Sequence, residues 1–326
     1  MQHIKQMLRI FSLCIMAVLS CAVNAQGTYP DRPIKLVVGF PAGQATDIVA
    51  RLLADRVSWS IGQAVVVENR PGQGGSVALA ALAKAAPDGY TFVLSATASL
   101  VTNPHLYKSV GYDSLNDFVA AGLVADLPLV LVANTTAPFN TVSELIAYAK
   151  SRPGKLSYSS AGNGTLSHLA MEIFKRDAAV FMVHIPYAGS VRAMTDLVAG
   201  NVSLGFDTVA VTAPLVESKR LKVLAVASEK PLSQFANSPT MINSGMPGFT
   251  ASPWLALMAP KGTSADILQR WNDEIRKALN DPAMQKSMNV IGAIPRMSSA
   301  ADATNLVRTE YTKWGKTVRD SGATVD

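Results

Sequence analysis

The chain has 326 residues, 49% of them hydrophobic and 16% charged, with a formal net charge of +6. The positive excess is spread thinly, with no run of basic residues, which argues against a nucleic-acid partner. The only two cysteines, Cys14 and Cys21, lie close to the N-terminus.

Lys5 and Arg9 precede an almost wholly apolar stretch, residues 10–23, and Ala22-Val23-Asn24-Ala25 follows with small residues at the −3 and −1 positions. This reads as a secretory signal peptide over residues 1–25, cut after Ala25. The apolar stretch is short of the ~20 residues that a spanning helix needs. A lipoprotein leader would lipidate Cys21, but bulky Leu19 stands where a small residue is preferred. Cleavage removes both cysteines. The exported chain then has no disulfide, no Cys-ligated metal and no cysteine nucleophile. No later segment is long and apolar enough to span a membrane, so a soluble exported protein of two domains is expected.

Apolar strands alternate with amphipathic helices along the rest of the chain. Strands are expected at 34–40, 64–68, 91–95, 119–124, 128–133, 156–160, 181–186, 202–206 and 221–227. Helices are expected at 46–57, 75–85, 141–151, 165–176, 190–199, 211–217, 264–280, 282–289 and 299–320. In the first helix, Ile48 and Leu52, and Val49, Leu53 and Val57, recur at four-residue spacing, with Thr46 as the N-cap. The strands are continuous apolar runs, which suits largely parallel sheets covered on both faces.

Two segments share one grammar. Residues 34–53 run from an apolar strand through Pro41-Ala42-Gly43-Gln44 into a helix, and residues 156–174 run through Gly162-Asn163-Gly164-Thr165 into another. A strand, a glycine-containing loop and a helix start gather free backbone N–H groups and the positive end of a helix dipole, which favours anions. Neither loop carries Lys or Arg, so backbone dipoles would meet a ligand's charge. Residues 120–130 and the Pro-, Ser- and Gly-rich stretch 227–256 look like crossings between lobes. The expected organisation is lobe 1 from 26–125 plus 250–326, and lobe 2 from 126–249, with a hinged cleft between them.

Across the mature chain these segments resemble the Bug-type solute-binding proteins of tripartite tricarboxylate transporters. The resemblance runs through Tyr29-Pro30-Asp31-Arg32-Pro33, Phe40-Pro41-Ala42-Gly43, Asn69-Arg70-Pro71-Gly72, Ala86-Pro87-Asp88-Gly89-Tyr90 and Ser160-Ala161-Gly162-Asn163-Gly164-Thr165. Pro186-Tyr187-Ala188-Gly189-Ser190, Phe206-Asp207 and Ala259-Pro260-Lys261-Gly262-Thr263 extend it. It implies an α/β, type II-like, two-lobe periplasmic binding protein fold with two hinge crossings. It also implies a monomeric receptor without cofactor that passes a small carboxylate to an integral membrane permease. A dicarboxylate, a tricarboxylate, an acidic amino acid and an aromatic acid all fit. A sensory receptor serving a membrane sensor is the alternative, and an exported enzyme acting on a small acid the remote one.

Carried onto matched positions, the resemblance assigns ligand contacts to Ala42, Gly43, Gln44 and Thr46. Ala98 and Ser99 follow, then Asn163, Gly164, Thr165 and Ser167, and finally Tyr187, Ala188, Gly189 and Asp207. Gln44 departs from the usual second glycine of the first loop. Phe40, Asp47 and Arg192 are further candidates. Asp47 has a plainer role as a helix-start carboxylate, Arg192 as a solvated arginine, and Phe40, Tyr187 and Trp254 as core aromatics. His168 beside Ser167 suggests a hydrolytic pair, but adjacent helical residues point in different directions and no G-x-S-x-G elbow is present. His105 and His184 are too isolated for a metal site.

Overall fold

A computed structural model describes residues 29–321 and residue 325. The signal peptide, its cut after Ala25, Cys14 and Cys21 lie outside the described residues.

The chain builds two mixed sheets. The first holds β1 (Ile34–Val38), β2 (Val65–Asn69), β3 (Thr91–Ala96), β4 (Phe118–Asp126), β10 (Trp254–Pro260) and β11 (Ile294–Pro295), in the order β11-β4-β10-β3-β1-β2. The second holds β5 (Leu129–Asn134), β6 (Ser157–Ser160), β7 (Val183–Pro186), β8 (Leu204–Thr208) and β9 (Leu221–Val226), in the order β7-β6-β8-β5-β9. Within each sheet most strands point one way: β10 and β11 are reversed in the first, and β5 in the second. The reversed β5 and β10 are the strands that follow the two lobe crossings.

The continuous apolar runs have a simple cause. Successive side chains of a strand point to opposite faces. Leu36 and Val38 pack into one core with Phe92 and Leu94, while Val37 and Val93 between them enter a second core on the other face. The second sheet repeats this, with Leu129 and Leu131 on one side and Val130 and Val132 on the other.

The connections are α1 (Ala45–Ile61), α2 (Ser76–Leu82), α3 (Asn103–Leu106), α4 (Val142–Ser151), α5 (Leu166–Ala178), α6 (Ser190–Ala199) and α7 (Val209–Glu217). After β10 come α8 (Ala265–Asn280), α9 (Pro282–Val290) and α10 (Ala300–Ser321). Gly62, left-handed at φ 72°, ends α1 with its N–H on Ser58 O.

Three sequence expectations need correction. The composition of residues 227–256 suggests only a crossing, yet their end opens β10, a central strand paired on both sides to β3 and β4. Its run Leu255-Ala256-Leu257-Met258-Ala259 is fully apolar, but the Pro- and Gly-rich approach masked it. Helix α7 begins at Val209, two residues before the expected start. Residues 98–106 form a wide turn and α3, where no helix was expected.

The crossings lie side by side. Leu127 N–H donates to Pro253 O at 2.8 Å, Leu129 N–H to Ala251 O at 2.9 Å, and Ala227 N–H to Leu129 O at 2.8 Å. Thr97 Oγ1 accepts from Trp254 N–H at 2.8 Å and ties β10 to the start of the wide turn. Helix α10 bridges the same gap by packing: Ala303 and Val307 sit in a core of the first sheet, and Val318 in a core of the second.

Candidate functional site

Between the two sheets lies a chamber of about 60 Å³, lined among others by Gln44, Thr46, Ala98, Thr165, Ser167 and Asp207. Beside it an outer groove of about 750 Å³ runs along Ala42, Pro71–Gly74, Tyr107, Asn163 and Tyr187 to Arg192. Phe40, Gln44 and Ala161 line both.

The first loop is shaped by Asp47. Its Oδ2 accepts from Gly43 N–H at 2.9 Å and from Arg51 at 3.0 Å, and its Oδ1 from Asn69 Nδ2 at 2.8 Å. Asn69 Nδ2 also reaches Phe40 O at 3.0 Å. Burial opposes ionisation of Asp47, but the bonds from Arg51, Gly43 and Asn69 hold its carboxyl below the usual range. Asp47 therefore orders the loop. It consumes the Gly43 N–H, and neither residue lines the chamber. The helix it opens begins at Ala45 with extended Gln44 in the cap position, so Thr46 is not the N-cap.

The second loop is held by hydroxyls. Ser167 Oγ accepts from Ala161 N–H at 3.0 Å, and Thr165 Oγ1 donates to Gly162 O at 2.6 Å. Thr165 occupies the N-cap position of α5, yet its hydroxyl is turned back into the loop and does not cap. Gly164 lines neither space. Its carbonyl accepts from Thr102 Oγ1 at 3.0 Å, and its N–H donates to His168 Nδ1 at 3.3 Å. Ser99 is likewise turned away, with its hydroxyl on Ser95 Oγ and Ala96 O.

Four helix starts converge on the chamber. Ala45 and Thr46 of α1, Leu166 and Ser167 of α5, Ser190 of α6, and Thr208 just before α7 all line it. None of these four helices has a side-chain cap. The other helices start elsewhere: the first turns of α4, α8, α9 and α10 are bonded by Thr141, Ser264, Asp281 and Ser299, while the short α2 and α3 also lack a side-chain cap. The uncapped starts at the chamber leave N–H donors and four positive dipole ends directed at one space.

Among the described residues, Asp207 is the only ionisable one lining that chamber. Its Oδ1 accepts from Ser190 Oγ and Thr208 N–H, both at 2.7 Å, while its buried Oδ2 has no partner. Burial pushes its carboxyl up to about 6, against the lowering effect of those bonds. Among the described residues, Gln44 Nε2 is the other unpartnered buried side-chain atom of the lining.

Of the sequence candidates, the chamber gathers Phe40, Gln44, Thr46, Ala98, Thr165, Ser167 and Asp207. Ala42, Asn163, Tyr187, Ala188, Gly189 and Arg192 line the outer groove, with Arg192 exposed. Tyr187 OH donates to Asp196 at 2.7 Å. Trp254 is buried in a core of the first sheet. Sequence reasoning missed Ala45, Leu166, Ser190 and Thr208, and the apolar wall of Leu127, Leu129 and Pro253.

His168 and His184 stack behind the second loop, ring centroids 4.1 Å apart, and His184 stacks in turn on Tyr158 at 4.8 Å. His184 Nε2 meets Ser160 Oγ at 2.7 Å. Burial, with a smaller push from neighbouring positive charge, lowers His168 to about 4 and His184 to about 3. Unfolded histidines titrate near 6.5. Between those values the unfolded chain binds more protons, so stability falls as pH falls. Asp207 and Asp126, whose carboxyls burial raises, act oppositely, while His105, also lowered by burial, acts with the other two histidines. The melting temperature of the ligand-free protein is expected to drop steadily from pH 6.5 to 4, less so in His184→Gln; a flat profile would contradict this.

Among the described residues no helix is long and apolar enough to cross a membrane. The fold is that of a two-lobe periplasmic binding protein. Residues 49–323 match the model of the tripartite tricarboxylate transporter family receptors, and the chain belongs to that family. It is 36% identical to protein BugT of Bordetella pertussis over 322 residues, which covers 98% of this chain and 99% of that one. R. palustris Rpa4515, solved with adipate, superposes with a TM-score of 0.88 at 33% identity, covering 91% of this chain and 99% of that one. MatC from Rhodopseudomonas palustris, solved with bound malate, gives 0.84 at 28% identity, covering 89% and 100%. The family is one of solute receptors, and small carboxylates are bound in these two relatives.

Proposed function

We propose that this chain is an extracytoplasmic receptor that captures a small carboxylate between its lobes and hands it to a membrane permease. Residues 1–25 are its export leader, and the mature protein works in the periplasm as a monomer. The lobes are 26–125 plus 250–326, and 126–249. The observation that carries the reading is the convergence of four uncapped helix starts on a chamber that, among the described residues, no Lys, Arg or His lines.

The ligand carboxylate sits among the free N–H groups of Ala45, Thr46, Leu166 and Ser167, contributed by both lobes. Hydrogen bonds to a charged group contribute roughly 1.5–3 kcal/mol each. A micromolar complex needs about −8 kcal/mol net. Six to eight such contacts, roughly, reach that figure once ordering costs are met. Binding to both lobes at once favours the closed arrangement, whose altered surface a permease can recognise.

Thermal unfolding against a panel of small acids tests this. A true ligand at 100 times its Kd adds about 2.7 kcal/mol, which raises Tm by roughly 5–11 °C. A panel of mono-, di- and tricarboxylates, acidic amino acids and aromatic acids that leaves Tm unmoved would overturn the reading.

A further inference from the structure

Gln44 stands between two spaces of very different size. It lines both the inner chamber and the outer groove, and it is only 5% exposed. Although it holds the cap position of α1, its side chain makes no capping bond, and its buried Nε2 has no partner. Across the cleft its amide lies against bare backbone of the other lobe: a Cβ built on Gly189 would stand 2.5 Å from Gln44 Nε2 and 3.1 Å from Pro41 Cγ. The side chain therefore reaches from the first lobe to Gly189 of the second.

We infer that Gln44 is a partition that sets the length of the ligand, confining it to the inner chamber and donating from Nε2 to its distal acceptor. This rests on the carboxylate-receptor reading above. At 10–15 Å³ per water, the chamber's 60 Å³ corresponds to roughly four to six waters. A space that small favours a short acid over a long one. The groove beyond the partition, at about 750 Å³, would accept a much longer chain if it were joined to the chamber. The unpartnered amide is the second mark of a ligand end at this point, because a buried donor left unpaired is costly. The partition thus selects in two ways: it blocks a long acid sterically and rewards a short one with a hydrogen bond.

The probes are the unbranched diacids malonate, succinate, adipate and suberate, titrated calorimetrically into the mature wild type, Gln44→Gly and Gln44→Ala. Neither substitution removes a capping bond, and glycine is itself an accepted N-cap residue, so both variants should fold. The wild type should bind malonate or succinate at least tenfold more tightly than adipate or suberate. Both variants should lose at least tenfold for the short acids and gain at least tenfold for the long ones. An unchanged rank order with measurable binding overturns the partition alone. Failure of the wild type to bind any acid of the wider panel described above overturns the receptor reading and the partition with it.

Discussion

Affinity for a small carboxylate is expected to fall about 50-fold between pH 6 and pH 8 in the wild type, and to stay within about threefold in Asp207→Asn. The cause is Asp207, which lines the chamber and whose buried Oδ2 has no partner among the described residues. An ionised Asp207 would repel the ligand's negative charge across a short, water-poor gap. The groups that face it are the Ser190 and Thr208 hydroxyls, the Thr208 amide and the polar lining from Gln44, Thr46, Thr165 and Ser167. Its β-ladder partner is Val130. Among the described residues no cation lines the chamber to neutralise two carboxylates, so on the proposed reading the binding form is the one that keeps its proton and donates it to the ligand. With the free carboxyl at about 6, the competent fraction is half at pH 6 and falls tenfold per unit well above it. Asparagine donates without titrating. The same raised value means that Asp207 stabilises the free fold fully below its ordinary range and loses that contribution as pH rises through about 6. Asp207→Asn should therefore melt higher than the wild type at pH 8. Wild-type affinity that is level or rises with pH would show instead that ionised Asp207 accepts from a ligand ammonium or hydroxyl.

Gly164→Ala should weaken binding by at least 100-fold. A Cβ there would stand 2.2 Å from Asn103 Oδ1 and 3.1 Å from Leu106 Cδ2, both on α3. Asn103 cannot simply turn aside, because it is fully buried and its Nδ2 is tied to Gln73 O at 2.8 Å and Ser76 Oγ at 2.9 Å. The clash is therefore between lobes, at the point where Thr102 and Tyr107 also bond to the second loop. Gly164 also has φ +76°, where a non-glycine residue costs about 1–2 kcal/mol, so a fall in Tm of roughly 2–8 °C accompanies the change. The double variant Gly164→Ala with Asn103→Ala separates the two effects. It removes the clash but keeps the backbone strain, and should recover at least tenfold of the lost affinity. Small-angle scattering should show the wild type contracting with ligand while the single variant does not. Wild-type affinity in Gly164→Ala would remove this contact from the closed state.

The two strand–loop–helix segments were legible as structure because their grammar is local: an apolar strand, a glycine that can take positive φ, and a helix start. The other two helix starts were harder to read. Ser190 follows Gly189 and looks like a turn residue, and Thr208 lies inside an apolar run, Thr208-Val209-Ala210-Val211, that gives no boundary. Asp47 and Gly43 show the opposite failure. The sequence places them at the ligand, but a carboxylate four residues along a helix returns to the loop and satisfies it from within. Leu127, Leu129 and Pro253 carry no polar signal at all. Only the pairing of the two crossings brings them to the chamber wall.

The most direct test is a titration followed through backbone amide resonances of the ¹⁵N-labelled mature protein, with malonate, succinate and malate as probes. The largest saturable shifts should fall on Ala45, Thr46, Leu166, Ser167, Ser190 and Thr208, contributed by both lobes together. Saturable shifts centred on one outer surface, or on a single lobe with the other unmoved, would contradict capture by opposed helix starts.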